Sequence, residues 1–274
     1  MPLTLPGPLL VAGAGKMGSA LLRGLLTTGF DPSTIIVQDP APPEAAAADL
    51  AAAGIRIVPS IATLEAPPSV ILLAVKPQVM DEVFKALAPL AGADTLTLSI
   101  AAGRTLASFE AHLPPGAAVV RAMPNTPAAV GAGITVCCAN RATTPTQRAR
   151  AEALLSAVGE VAFIDEESQM NAVTALSGSG PAYVFHMIEA LTAAGIAAGL
   201  APDLAARLAR ATVAGSGRLV VETGEAAASL RHNVTSPGGT TAAALAILMA
   251  KPGLTELMTD AVLAAKRRGE ELAG

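Results

Sequence analysis

The chain has 274 residues, a formal net charge of −4, and a composition that is 52% hydrophobic, 15% charged and 2% aromatic. Such apolar content excludes a disordered chain, and the mean hydropathy of +0.53 signals burial within a fold, because no run of about 18 clean apolar residues is present to span a bilayer. Nucleic acid is excluded as a partner as well, since five Phe, one Tyr and no Trp on an acidic chain supply neither a basic field nor a stacking platform.

In chain order, Leu9–Ala12 reads as a strand and Met17–Thr28 as a helix stopped by Gly29. Ile35–Gln38 is a second strand and Ala41–Ala53 an Ala-rich helix ending at Gly54. Ile55–Val58, Val70–Val75, Thr95–Ile100 and Ala118–Ala122 follow as strands, with helices near Val79–Leu90 and Leu106–His112 between the last three. Ile134–Cys138 and Val161–Ile164 are two more strands flanking a helix over Thr146–Val158. This alternation predicts an α/β domain, a mostly parallel sheet with helices on both faces, and the unbroken apolar strands agree. Past Ile164 no strand is predicted. Pro181–Ala198, Pro202–Thr223, Thr240–Ala250 and Leu254–Leu272 read as helices, with Pro181 and Pro202 at first helical positions. The domains are therefore expected at 1–164 and 165–274, the second all-α. Cys137 and Cys138 are strand neighbours facing opposite ways, which makes them poor disulfide partners and suits a reducing cytoplasm. Met1–Val11 lacks a positive n-region, so no secretory leader is expected.

Gly13-Ala14-Gly15-Lys16-Met17-Gly18 closes the first strand and opens the first helix. In a G-x-G-x-x-G at that place, Gly13 makes the tight turn, Gly15 admits a pyrophosphate to the backbone, and Gly18 lets helix and strand pack closely. The helix N-terminus offers free N–H groups to the phosphates, so a Rossmann-like, doubly wound dinucleotide domain is predicted. Asp39 ends the second strand. It either accepts hydrogen bonds from the adenosine ribose hydroxyls, which favours NADH, or caps the following helix. Ala74-Val75-Lys76-Pro77 ends the fourth strand, Ala101 follows the fifth, and Arg121-Ala122-Met123-Pro124-Asn125-Thr126-Pro127 ends the sixth, where Asn125 makes an Asx turn or binds an amide. Ligands of open α/β sheets bind outside these strand ends. In the second domain, Leu176-Ser177-Gly178-Ser179-Gly180-Pro181-Ala182-Tyr183 reads as a small-residue loop entering a helix. Asn233-Val234-Thr235-Ser236-Pro237-Gly238-Gly239-Thr240-Thr241 is a turn before another helix, suited to a small anion or to simple Ser/Thr capping.

Taken together and in order, these motifs resemble the pyrroline-5-carboxylate reductase family over nearly the whole chain. The resemblance implies reduction of the cyclic imine Δ1-pyrroline-5-carboxylate to L-proline with NADPH or NADH. It implies that Thr241 hydrogen-bonds the ring nitrogen, that Val234, Ser236, Gly238, Gly239 and Thr240 hold the substrate carboxylate end, that Ser177, Gly178 and Ser179 wall the pocket, and that Asn233 lies near the nicotinamide. Cofactor contacts fall on Gly13 to Gly18, Asp39, Ala74 to Pro77, Ala101 and Asn125. Three departures stand out: Lys16 replaces a frequent Asn, Ala226-Ala227-Ala228-Ser229-Leu230 replaces a frequent His-Pro-x-x-Leu, and Asp39 sits poorly with NADPH.

A β-hydroxyacid dehydrogenase would place a catalytic lysine on a second-domain helix, yet the lysines are Lys16, Lys76, Lys85, Lys251 and Lys266, none near Ser177–Tyr183. A non-catalytic dinucleotide sensor would keep Gly13–Gly18 without needing the Ser236–Thr241 turn. No metal is expected, because His112, His186 and His232 are scattered; His186 reads as a core histidine. Helices such as Pro202–Val221 are apolar nearly all round and need burial on more than one face. A homodimer with intertwined second domains is predicted, and the family resemblance implies a decamer built from dimers.

Overall fold

The computed structural model describes residues 3–61 and 64–273. Its first half alternates β1 (Leu9–Ala12), α1 (Lys16–Thr27), β2 (Ile35–Gln38), α2 (Glu44–Ala52), β3 (Arg56–Val58), β4 (Val70–Leu73), α3 (Met80–Leu87), β5 (Leu96–Ser99), α4 (Leu106–Glu110) and β6 (Ala118–Met123). β7 (Gly133–Ala139), α5 (Pro145–Leu155) and β8 (Gly159–Ile164) follow. One eight-stranded sheet runs in the order β3-β2-β1-β4-β5-β6-β7-β8. All neighbours are parallel except β6 and β7, which pair antiparallel with Arg121 opposite Cys138.

Alternation along each strand sends its side chains to two separate cores. Leu9 and Val11 of β1, Val70 and Leu72 of β4 and Leu96 and Leu98 of β5 meet Leu21, Leu22 and Leu25 of α1 and Leu154 and Leu155 of α5. Leu10, Ala12, Ile71 and Leu73 point the other way, onto Met80, Phe84 and Leu87 of α3 and Phe109 of α4. β1, β4 and β5 are buried at every position; β1 and β4 accordingly lack any polar alternation, while β5 alternates leucine with the buried hydroxyl residues Thr97 and Ser99. On the first face α1 crosses close to the end of α5, where a Cβ on Gly24 would meet the Ala157 carbonyl oxygen at 2.5 Å. α5 is stopped at its start by a capping box between Thr144 and Gln147.

Both cysteines are free and buried, and burial pushes the Cys137 thiol up to about 12; the Cys138 thiol is raised for the same reason. A thiolate is the reactive form. Thiol titration of the native protein at pH 8 is therefore expected to label neither cysteine, and labelling of both is expected only after unfolding; rapid native labelling would contradict their burial.

The chain packs as two compact units, Met1–Gly178 with Lys266–Gly274, and Ser179–Ala265. The last strand ends at Ile164, and the stretch from there to Gly178 stays with the sheet. It contains α6 (Met170–Val173) and a π turn over Thr174–Gly178. The Leu176–Tyr183 segment, expected as a loop entering a helix at Pro181, is helical apart from a bend at Ser179: Thr174 and Ser177 hydroxyls donate to the carbonyls of Met170 and Val173 one turn back, at 2.9 and 3.0 Å, and hold the widened turn together.

The second unit holds α7 (Gly180–Ala197), α8 (Pro202–Thr223), α9 (Ala227–Asn233) and α10 (Thr240–Leu248), with the first part of α11 (Leu254–Ala273). Pro181 enters one residue after the helix start; Pro202 begins its helix. α7 and α8 approach closely where Gly195 faces Ala205. α9 is an addition to the expected elements. Within one chain α7 buries none of its residues, and Val184, Phe185, Met187, Leu191, Leu208 and Leu219 are exposed. His186, expected in a core, is exposed and pairs with Glu189 at 3.0 Å; helices apolar on every side cannot all be covered by four neighbours. Among the described residues, no helix is long and apolar enough to cross a membrane.

Candidate active site

The carboxyl ends of β1, β2 and β4 open onto a cavity of about 600 Å³ lined by the glycine turn, Asp39, Ala74, Val75 and Lys76. Gly13 turns the chain with φ +96°, a conformation that side chains other than glycine rarely adopt. Gly18 faces the Gly13 carbonyl across the turn, so close that a Cβ there would overlap its oxygen. At Gly15, by contrast, a Cβ would meet no protein atom within 4 Å. α1 begins at Lys16 behind an N-cap Gly15 that gives no side-chain bond, and its first turn has no acid. Its leading N–H groups are therefore uncapped beside empty space, which is what a pyrophosphate needs. Lys16 is exposed and Met17 packs partly against the first core.

Asp39 is not the cap of α2, whose N-cap is Pro43. Its Oδ2 accepts from the Ala14 N–H at 2.7 Å and its Oδ1 from the Ala41 N–H at 2.9 Å. The carboxylate thus braces the glycine turn from the next strand while remaining on the cavity wall. Glu82 also lines the cavity, and Lys76 is its cation. Pro77 opens a short 3-10 turn, Pro77–Val79, leading to α3. Ala101 is buried at the exit of β5, and the loop it starts is pinned by Arg104, whose Nη2 lies 2.6 Å from Asp81 Oδ1. That hydrogen bond holds the Asp81 carboxyl below the usual range.

The loop after β6 departs from expectation. Asn125 makes no cap bond and no Asx turn; its Oδ1 accepts from the Ile134 N–H at 3.0 Å, and its Nδ2 donates to the Ser177 carbonyl at 3.2 Å. Arg121 is buried and donates to Glu167 Oε1 at 2.8 Å, the same oxygen that accepts the Leu106 N–H. Neither Glu167 nor the π turn had a sequence signal: an acid after a strand and a run of small residues look like any linker.

In the second unit, the turn between α9 and α10 is built almost entirely of backbone. Asn233 ends α9, and Val234 is its exposed C-cap. Gly239 N–H donates to the Ser236 carbonyl at 3.0 Å, Gly238 is left-handed at φ +68°, and α10 starts at Thr240. Its N-cap is Gly239, with no side-chain cap and no acid in the first turn. Simple Ser/Thr capping is therefore not the purpose of this run. Among the described residues, the Ser236, Thr240 and Thr241 hydroxyls have no protein partner, and Thr241 is half-buried.

Residues 167–272 match the family described as pyrroline-5-carboxylate reductase dimerisation, and residues 9–103 match the family described as NADP oxidoreductase, coenzyme F420-dependent. A pyrroline-5-carboxylate reductase of Synechocystis is 44% identical over 96% of this chain and 97% of its own length, and one of Pseudomonas aeruginosa is 42% identical over 95% of each. The chain belongs to the pyrroline-5-carboxylate reductase family. The solved reductase of Coxiella burnetii superimposes with a TM-score of 0.92 at 34% identity, covering 98% of this chain and 100% of that one. The Plasmodium falciparum enzyme, solved with NADP bound, gives 0.81 at 28% identity over 98% and 99%. For this family member the match over residues 9–103 falls on β1 to β5, which carry the glycine turn, and the match over residues 167–272 on the helices that one chain leaves uncovered.

Proposed function

We propose the following roles in the family's reaction, the reduction of Δ1-pyrroline-5-carboxylate to L-proline. NAD(P)H, when bound, supplies the hydride. The uncapped N–H groups of Gly15 to Gly18 hold the pyrophosphate, Ala14, Lys16, Met17, Ala74, Val75, Lys76, Pro77 and Ala101 shape its bed, and Asp39 takes the adenosine ribose. The substrate carboxylate goes to the N–H groups and hydroxyls of Ser236, Gly238, Gly239 and Thr240, beside Val234, because that turn offers donors without a charge or cap of its own. Thr241 hydrogen-bonds the ring nitrogen, its hydroxyl oxygen accepting from the N–H of the protonated imine, Asn233 lies toward the nicotinamide, and Ser177, Gly178 and Ser179 wall the imine. A protonated imine is already electrophilic, so the protein's task is placement, worth up to about 7–11 kcal/mol in ideal cases. The observation that carries this reading is the pair of uncapped helix starts, at Gly15 and at Gly239.

We keep the sheet domain at 1–164 and the substrate and dimerisation domain at 165–274. The uncovered apolar faces of α7 and α8 support a homodimer with intertwined second domains, and a decamer built from such dimers is proposed on the family resemblance alone. Two buried, unpaired cysteines support a cytoplasmic location.

Steady-state kinetics with the pyrroline substrate and each cofactor tests the proposal. Imine-dependent oxidation is expected with both, and kcat/KM with NADH should equal or exceed that with NADPH, because a 2′-phosphate would face the Asp39 carboxylate with no arginine on the cavity wall. No oxidation with either cofactor would overturn the catalytic roles. A strong NADPH preference would overturn the role of Asp39 alone.

A further inference from the structure

The π turn at Thr174–Gly178 ends where the first compact unit ends. Three polar side chains are spent on the carbonyls of α6 and this turn: Thr174 on Met170, Ser177 on Val173, and Asn125 on Ser177 itself. Only the last comes from elsewhere in the fold. Asn125 sits at the exit of β6 and its other amide atom is tied to Ile134 at the start of β7. The end of β6 also presses on the turn directly, since a Cβ on Gly178 would meet Met123 Cε at 2.7 Å. Asn125 therefore bridges two sheet strands and a π turn with one planar amide, using its donor and its acceptor on protein backbone. π turns recur at functional sites, and here the clamped carbonyl belongs to the segment assigned above to the imine pocket.

We infer that Asn125 is a positioning residue for the reduction: its amide locks the Ser177 main chain against the β6–β7 loop and so fixes where the Ser177–Ser179 backbone stands. Its amide is bonded to main chain through both the nitrogen and the oxygen, and we assign it this role in place of a cofactor contact. The inference rests on the assignment of Ser177–Ser179 to the imine pocket. A misplacement of about 1 Å at a reacting site can cost as much as 100-fold in rate, so a side chain that sets the place of this backbone matters without touching substrate.

The test is Asn125→Asp in the full-length protein. Aspartate keeps the acceptor for Ile134 and replaces the donor facing the Ser177 carbonyl with an acceptor. Three quantities are read: kcat/KM for the imine, NADH affinity by fluorescence titration, and Tm. The expected result is a fall of about tenfold to a hundredfold in kcat/KM for the imine, with the NADH dissociation constant within about twofold of wild type and Tm little changed. Asn125→Ser, too short to span to Ser177, carries the same readout if the aspartate variant does not fold. Wild-type kcat/KM, or a loss of NADH affinity in step with the loss of rate, would overturn the inference; so would failure of both variants to fold, which would make Asn125 merely structural. A wild-type protein inactive with the imine is a different failure, that of the proposed function.

Discussion

Gly18→Ala is expected to weaken NAD(P)H binding at least about tenfold and to lower Tm by several degrees. The methyl group would sit on the carbonyl oxygen of Gly13 and within 3.3 Å of the Ala74 Cβ. Both are backbone or backbone-attached atoms with no rotamer to escape into. Relief requires α1 to lift off β1 or the Gly13 peptide to turn, and α1 carries Leu21, Leu22 and Leu25 into the first core. Overpacking of this kind costs about 1–3 kcal/mol, which in a domain of this size moves Tm by roughly 2–4 °C per kcal/mol. Gly15→Ala separates the two effects. Its methyl group meets no protein atom, so Tm of the free protein should hold while cofactor affinity falls, because the methyl group fills the space that the pyrophosphate needs. Differential scanning fluorimetry with and without NADH reads both variants. Equal behaviour of the two would refute the division of labour between these glycines.

Thr241→Ala is expected to lower kcat by about 10²–10³, the order of loss for one pre-organised hydrogen-bonding group at a reacting centre, and to leave NADH affinity unchanged. Among the described residues the hydroxyl has no partner, and it is held on the second residue of α10, so the helix start sets its orientation. Alanine is the better helix former, so Tm should hold, which differential scanning fluorimetry checks. Thr241→Ser should recover most of the rate. A Thr241→Ala enzyme with wild-type kcat would remove the residue from the mechanism.

Strands and helices of the sheet were legible because burial on both faces leaves unbroken runs such as Val70–Leu73 between glycine and proline punctuation. The glycine turn was legible because its three glycines are dictated by one backbone path. Long-range partners were not. Nothing near Asn125 in the chain announces Ser177, and nothing near Arg121 announces Glu167, since those pairs form only after the sheet has closed. Of the two readings of Asp39, the helix cap is absent for a related reason: Pro40 and Pro43 delay α2 to Glu44, and the carboxylate turns back to Ala14. His186 reads as a core residue because its neighbours in sequence are apolar, while a single chain leaves it exposed beside Glu189.

The reversed pair β6–β7 makes length a constraint. Because β8 runs with β7, the chain leaves the sheet at the edge opposite the glycine turn. Residues 165–178 must climb back to the edge where Asn125 waits, and from Glu167 on they do so in successive 3-10, α and π turns, each of which rotates the chain by a fixed angle per residue. That climb is phased like a screw. The π turn takes up one residue more than a regular α turn, and deleting a single residue from it would rotate the Ser177 carbonyl away from Asn125 even if every side chain were kept. In this segment the number of residues, more than their identity, determines what meets what.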